Sequence, residues 1–378
     1  ITNSGFLWIN DVGIFGSDRE TPLESLVNSG TMDTAGQLID TEYFENSGLI
    51  QSVARLEVTM GVGKLDSGES LSGGDATFTA EDLKLHAYSS YTGGRLVLDV
   101  SHSLSDTGGG AGNEIIAVRG INLVQKPLLG DLLGTRIETT ADARSVTHQF
   151  WSADDRGVAV AGFKDNVAVG NLVMSAGPVG ALAFRGPEPS GSYGLYVDEL
   201  DLDGFVLAAF TDGELGRALR VDPNLTIYFA YANVTAEELD GQLDGRLQWV
   251  PCFAGPNSGV NVLLPSGQTV LRNRSLRESL TIDSDGDGIF NGQDLTPFPD
   301  GPECEAAIVN EPELAAEIRF TAEPLTNYRV EYTTDLSSGA WAALETVENA
   351  GLEPRQVTVR DPIKEGQPQR YYRVSYNP

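Results

Sequence analysis

The sequence lacks long apolar runs and is poor in lysine, histidine and cysteine. Its 378 residues hold 25 Lys and Arg against 54 Asp and Glu, which gives a formal net charge of −29. No apolar run approaches the ~20 residues of a membrane-spanning helix, so we predict no membrane span. Nucleic-acid binding is disfavoured because it needs a positive surface that displaces counterions from phosphates. Such acidity suits a salty or calcium-rich exterior.

A signal peptide is absent as well, but the chain begins at Ile1 rather than at a methionine. We therefore expect a processed or partial chain, for which the missing signal does not decide the location. The features described next favour an exported protein of the extracellular space or the cell surface.

Catalytic motifs are also missing from the sequence. The three histidines, His86, His102 and His148, lie in strand-like stretches, and neither H-E-x-x-H nor the nucleophile elbow G-x-S-x-G occurs. Ser101, His102 and Asp106 are close in sequence but lack that elbow. We predict that the protein is not an enzyme.

Short repeats begin the chain. Asn-Ser-Gly occurs at Asn3, Asn28 and Asn46, each time before a short stretch with apolar residues. Repeats of ~20 residues that turn on Asn and Gly are typical of the rungs of a parallel β-solenoid. The alternative is an ordinary β-rich domain with Asn-Gly turns.

Alternating apolar residues continue as far as residue 250. Leu96, Leu98 and Val100 have the period of two that half-buried strands show, and residues 225–231 repeat it. One helix is predicted from Thr235 to about Leu243, because Thr235 and the glutamate three residues later form a capping box. We assign residues 1–250 to a β-solenoid or β-rich domain.

Residues 283–294 have the spacing of a calcium-binding loop. Acidic side chains occupy loop positions one, three, five and twelve, and Gly288 stands at position six, where such a loop turns sharply. We predict carboxylate ligands from four aspartates, a main-chain carbonyl ligand and an asparagine that binds through water or caps the next turn. In chain order these ligands are Asp283, Asp285, Asp287, Ile289, Asn291 and Asp294. A solvated acidic linker would explain the composition but not the spacing.

A second acidic run, residues 197–203, predicts either another calcium site or the solvated face of a strand.

Two cysteines, Cys252 and Cys304, flank the calcium loop without the C-x-x-C spacing of a metal site. In an exported protein they predict a disulfide worth ~4 kcal/mol in the chain-entropy model. The alternative is two unpaired buried thiols.

The calcium loop resembles those of thrombospondin type 3 repeats and dockerins, which share the pattern D-x-D-G-D-G-x-x-N-x-x-D. Here a single loop is present, and Pro297 and Pro299 end any following helix, which favours a structural calcium staple between domains over cohesin docking. The strings at 222–228, 239–241 and 246–250, followed by the loop, resemble the C-terminal region of large secreted repeat proteins of bacterial surfaces.

The end of the chain predicts a small β-sandwich at residues 313–378 that resembles a fibronectin type III module. Alternation at Tyr328, Val330 and Tyr332 marks one strand, and Trp341 is expected in the core. Residues 251–312 form the calcium-loop junction and linker between the two β domains. The predicted fold class is all-β.

These features predict a calcium-stabilised structural protein that serves in adhesion, in a surface layer or as a filament subunit. Its expected partners are further copies of itself or neighbouring surface proteins. The alternative is a polysaccharide-active enzyme or carbohydrate-binding protein on the same scaffold, with polysaccharide as the partner.

Overall fold

A computed structural model describes most of the chain, in the following ranges: 1–9, 21–36, 38–107, 112–142, 144–256, 261–263, 269–298, 304–310, 314–322, 326–335, 340–350, 353–363 and 369–376. The chain divides into two compact units. Ile1–Gly259 and Arg272–Leu276 form the first unit, and Val260–Leu271 and Arg277–Pro378 form the second. The protein is mostly β, with a parallel β-solenoid-like first unit, as the sequence predicts.

The first unit is a coil of parallel strands laid in two sheets of ten and eleven strands. Successive strands along the chain alternate between the two sheets, except that the last two, Leu225–Ala232 and Leu247–Trp249, lie in the same sheet. The strands are β1 Thr2–Asn3, β2 Phe6–Ile9, β3 Leu23–Asn28, β4 Thr31–Thr34, β5 Leu38–Asn46, β6 Leu49–Ser52, β7 Leu56–Asp66, β8 Glu69–Ser72, β9 Ala76–His86, β10 Ser89–Thr92, β11 Leu96–Asp106, β12 Asn113–Ala117, β13 Ile121–Leu123, β14 Leu132–Ala141, β15 Val146–Phe150, β16 Val169–Ala176, β17 Ala181–Arg185, β18 Tyr193–Asp203, β19 Leu219–Val221, β20 Leu225–Ala232 and β21 Leu247–Trp249.

The Asn-Ser-Gly repeat marks successive rungs, by which we mean single turns of this coil. Asn3 donates to Asn28 at 2.8 Å across 25 residues, and Asn28 donates to Asn46 at 2.7 Å across 18. All three side chains are buried. Buried amides must be hydrogen-bonded, and these side chains are satisfied by the bonds between rungs together with bonds to main-chain carbonyls, such as that of Thr31 for Asn3 and that of Gly48 for Asn46. The prediction that this repeat forms solenoid rungs is confirmed.

Strand burial agrees with the sequence in one region and differs in another. Leu96, Leu98 and Val100 of β11 are buried, as their alternation predicts. In β20 the predicted alternation is wrong, because Tyr228 on the supposedly exposed face is buried as well. Its ring stacks on Tyr196 at 4.5 Å between ring centres, so the outer face of β20 is covered too.

Helices are few and short. The helix predicted from Thr235 to about Leu243 begins after Thr235, as expected, but its first turn already ends at Leu239 and no side chain caps its start. The chain then reverses, with Leu243 in the left-handed region (φ 56°), and the Asp240 carboxylate accepts the Trp249 N–H at 2.9 Å. This long-range contact overrides the local capping signal. The helices are α1 Gly204–Thr211, α2 Ala236–Leu239, α3 Gln242–Gly245 and α4 Arg274–Glu278, with 3-10 turns at Val160–Phe163, Leu215–Arg217 and Asn291–Gln293.

The second unit contains small antiparallel sheets. A two-stranded sheet joins β22 to β23, and two three-stranded sheets have the orders β24–β25–β28 and β27–β26–β29. These strands are β22 Asn261–Leu263, β23 Thr269–Leu271, β24 Glu305–Val309, β25 Ala315–Ala322, β26 Thr326–Thr333, β27 Ala342–Asn349, β28 Arg355–Pro362 and β29 Tyr371–Tyr376.

The two three-stranded sheets share one core, which includes Ile318, Phe320, Tyr328 and Val330. Trp341 was expected in this core but is only partly buried, because its ring faces the Arg373 guanidinium at 4.4 Å instead. Strand β24, which begins at residue 305 in the predicted linker, pairs with β25 and so belongs to the sandwich.

Candidate calcium site

The loop at residues 283–294 is folded around the first aspartate. The two carboxylate oxygens of Asp283 accept the N–H groups of Gly286 at 2.7 Å and Gly288 at 2.8 Å. Both glycines have left-handed backbones, with φ of 79° and 92°, which residues with a Cβ adopt at a cost. The glycine spacing therefore wraps the main chain around Asp283.

Three aspartates of the loop converge. Asp285 accepts the N–H of Asp287 at 3.2 Å, and Asp287 accepts the N–H of Ile289 at 2.8 Å. One carboxylate oxygen from each of Asp283, Asp285 and Asp287 lies within 4.8 Å of the other two. Such a cluster of hard oxygen donors is what Ca²⁺ requires.

The charges of this cluster are only partly offset by the protein. Hydrogen bonds from main-chain N–H groups, chiefly that of Gly288, hold the pKa of Asp283 below its usual range. Burial raises the pKa of Asp285, and the charges of Asp287, Asp294 and Asp283 raise it further. Among the described residues, no Lys or Arg forms an ion pair with these carboxylates. A divalent cation would supply the missing positive charge.

Asp294 closes the loop at position twelve. Its Oδ1 atom accepts the Thr296 N–H at 2.8 Å, whereas its Oδ2 atom is buried and has no hydrogen-bond partner in the described part of the chain. An unpaired buried carboxylate oxygen is costly. The clustered group does not include Asp294, although the charge of Asp294 raises the pKa of Asp285, so its role as a fourth carboxylate ligand remains a prediction.

Asn291 has a structural role in the protein itself. Its side chain is buried, accepts the Ser284 N–H at 2.9 Å and donates to the Ser284 hydroxyl at 2.8 Å. The same residue begins a 3-10 turn, but its side chain bonds Ser284 and no side chain caps that turn. Ile289, the predicted carbonyl ligand, is 44% exposed at the rim of the loop.

The ends of the loop are fixed by a buried serine. The Ser279 hydroxyl accepts the N–H groups of Thr281 and Ile282, and its carbonyl accepts the Gly292 N–H at 2.7 Å. The Asn291 N–H donates to the Ile282 carbonyl at 2.8 Å. The chain segments that enter and leave the loop are thus held together without an ion.

The two cysteines are free thiols in the structure. Each is partly buried, and burial raises the pKa of both thiols. Cys304 packs against the sandwich core. The Cys252–Cys304 disulfide remains a prediction.

The second acidic run is a strand face. Asp201 accepts the Asn171 amide at 3.0 Å, and Asp203 accepts the Ser175 hydroxyl at 3.1 Å, both from the neighbouring strand β16. No group of three clustered ligands is found there among the described residues.

Ser101, His102 and Asp106 do not form a triad. His102 contacts Asp82 at 2.7 Å, whereas Asp106 accepts hydrogen bonds from Gly134 and Thr135.

A further cluster escaped the sequence analysis. Phe150 and Arg185 are 35 positions apart but are register partners at the ends of β15 and β17. Rungs in this region are longer than those at the start of the chain, so no fixed repeat could have paired them. Only the three-dimensional register brings the two side chains together.

No protein-family model, curated protein or solved structure matches this chain. In the described residues, every helix is too short or too polar to cross a membrane.

Proposed function

We propose that the protein is a calcium-stabilised structural protein of the extracellular space or the cell surface, used in adhesion, in a surface layer or as a filament subunit. The observation that carries the proposal is the group of Asp283, Asp285 and Asp287, whose oxygens converge within 4.8 Å without a basic partner in the described residues. Asp294 lies outside this group but has a buried unpaired oxygen, and it is the fourth donor that the proposal assigns.

Ca²⁺ fits this loop better than Mg²⁺. Calcium accepts six to eight oxygens at flexible angles, whereas magnesium demands a near-ideal octahedron and keeps several of its waters. Four carboxylates and main-chain oxygens on one twelve-residue loop supply the first arrangement. The exposed glycine-rich loop suits the weak affinity of extracellular calcium modules, with Kd of about 10⁻⁴–10⁻³ M.

The scaffold supports a structural role. Rungs held by ladders such as Asn3–Asn28–Asn46 bury their side chains only against neighbouring rungs, which gives an extended and rigid body. The second unit adds a separate sandwich with its own core. Rigid extended bodies joined to small β modules suit load-bearing or surface-coating assemblies, in which copies of the chain or other surface proteins are the partners.

Electron microscopy of the purified protein with millimolar calcium, before and after addition of a chelator, tests the assembly role. We expect ordered assemblies that disperse when calcium is removed. A protein that stays monomeric at high concentration with millimolar calcium would contradict the filament and surface-layer versions.

A second candidate is a carbohydrate-binding protein on the same scaffold, favoured by a cleft that Phe150 and Arg185 both line. The enzymatic version has weaker support. Burial raises the pKa of Asp198 to about 7 and also raises that of Glu199, as for a glycosidase acid. However, Asp198 lies against Gly255, and neither carboxyl lines that cleft. The arrangement therefore favours binding over catalysis.

A further inference from the structure

A cleft of about 340 Å³ opens on the first unit beside the ends of β15 and β17. The Arg185 guanidinium lies over the ring of Phe150, 4.2 Å from the ring centre. The volume is within the range of small-molecule sites. We call it the Arg185 cleft, and its lining residues are Phe150, Arg185, Gly186, Pro187, Pro189, Asp222, Pro223 and Asn224.

Arg185 is a cation without an acceptor. Its Nε atom is buried and has no hydrogen-bond partner, and within the described part of the chain the guanidinium makes neither a hydrogen bond nor an ion pair. Arg95 approaches the same Phe150 ring at 5.8 Å, and its Nε atom is also buried and unpartnered. A guanidinium offers five N–H donors, and buried polar groups are nearly always hydrogen-bonded. Arg95 does not line the cleft, whereas Arg185 lines it and is only partly buried, so the end of the Arg185 guanidinium is open to an external anion.

The floor of the cleft is rigid. The Asn224 side chain accepts the Gly186 N–H and donates to the carbonyls of Gly186 and Glu188, all at 2.9–3.3 Å. A Cβ at Gly186 would overlap the Tyr193 ring, so the main chain there is packed closely. A fixed floor keeps Arg185 in place before a ligand arrives and lowers the entropy cost of binding.

We propose that the Arg185 cleft binds a carboxylated saccharide, with its carboxylate on the Arg185 guanidinium. Arginine recognises a carboxylate through two parallel hydrogen bonds, which are stronger than neutral ones. The exposed carboxylate of Asp222 has no partner in the described residues and can accept sugar hydroxyls. The rim disfavours a peptide, because three of the lining residues are prolines without an N–H and Gly186 is already bonded to Asn224.

This proposal does not depend on the calcium loop and would stand if that loop bound no metal. Calorimetric titration with glucuronate, glucose, inorganic sulfate and an acidic tripeptide tests it. We expect glucuronate to bind more tightly than the other three probes. The neutral sugar lacks the charge, sulfate lacks the hydroxyls, and the peptide lacks both the ring and its pattern of hydroxyls.

Three variants assign the binding to the cleft. Arg185→Gln should weaken glucuronate binding about tenfold or more, because it removes hydrogen bonds from a charged donor. Arg185→Lys, which keeps the charge but not the two-pronged geometry, should fall between Arg185→Gln and the wild type. Arg144→Gln makes the same charge change on an exposed turn and should leave binding unchanged.

Equal glucuronate affinity in the wild type and in folded Arg185→Gln would overturn the proposal. So would an absence of measurable glucuronate binding, or binding of glucose, sulfate or the tripeptide as tight as that of glucuronate. Circular dichroism melts of each variant check that it is folded, and if Arg185→Gln fails to fold, Arg185→Lys carries the comparison.

Discussion

Asn28 donates a hydrogen bond of 2.7 Å to Asn46, one rung further along the coil, and both side chains are fully buried. Asn28 also accepts from Asn3, so its amide is satisfied from both sides of its rung. A ladder of this kind fixes the rung register, because a shift of one residue would leave buried amides unpaired.

Asn28→Ala should lower the free energy of unfolding by about 2 kcal/mol, because it removes the bond from Asn3 and leaves the side-chain oxygen of Asn46 without its buried donor. Urea denaturation followed by circular dichroism measures the change. Ser29→Ala, at the exposed neighbouring position, is the control and should change stability by less than about 0.5 kcal/mol. Equal losses in the two variants would remove the ladder as a stabilising feature.

The glycine of the same repeat has a separate role. A Cβ at Gly48 would overlap the main-chain oxygen of Gly30 on the previous rung, whereas a Cβ at Gly5 meets nothing within 4 Å. Gly48→Ala should therefore destabilise the fold by about 1–3 kcal/mol, since the clash is with main chain that cannot move away. Gly5→Ala should be tolerated. Thermal unfolding of the two variants compares them, and similar melting temperatures would contradict the close stacking.

The buried carboxyl of Asp198 should make the stability of the fold depend on pH. Burial, reinforced by the charge of Glu199, raises the pKa of Asp198 in the folded state to about 7. A carboxyl with a raised pKa in the folded state lowers the free energy of unfolding when it ionises. This loss of stability is absent below about pH 4, grows up to about pH 7 and is constant above that.

Asp198→Asn should therefore raise the free energy of unfolding by up to about 4 kcal/mol at pH 8, with little gain near pH 4. Urea denaturation across pH 4–8 would show the difference between variant and wild type growing with pH. Asp212→Asn, at an exposed position, makes the same charge change and should give a flat difference. A flat profile for Asp198→Asn as well would contradict a buried, perturbed carboxyl.

Much of the fold could be predicted from local patterns. The Asn-Ser-Gly repeat and the alternation of Leu96, Leu98 and Val100 report burial that recurs from rung to rung, and such periodicity is visible in one dimension. The alternation in β20 misled because contacts distant in sequence cover its second face. The helix that the capping box at Thr235 predicts begins there but ends after one turn, where Asp240 bonds Trp249.

Of the two candidate sites, one could be predicted from a local sequence pattern and the other could not. The convergence of Asp283, Asp285 and Asp287 could be predicted because they lie within twelve consecutive residues and their spacing is that of a known loop geometry. The Arg185 cleft could not be predicted, because Phe150 and Arg185 meet through strand register on rungs of irregular length. Neither residue type alone indicates binding, and only the missing acceptor of Arg185 draws attention to it.

Calcium binding at the loop is the central claim, and calorimetric titration of the apo protein with Ca²⁺ tests it most directly. We predict one site per chain with Kd of about 10⁻⁴–10⁻³ M, lost in the double variant Asp285→Asn/Asp287→Asn. Glu345→Gln, which neutralises an exposed carboxylate in the same unit, should bind as the wild type does. Equal calcium binding by the double variant and the wild type, or none by the wild type, would contradict the account.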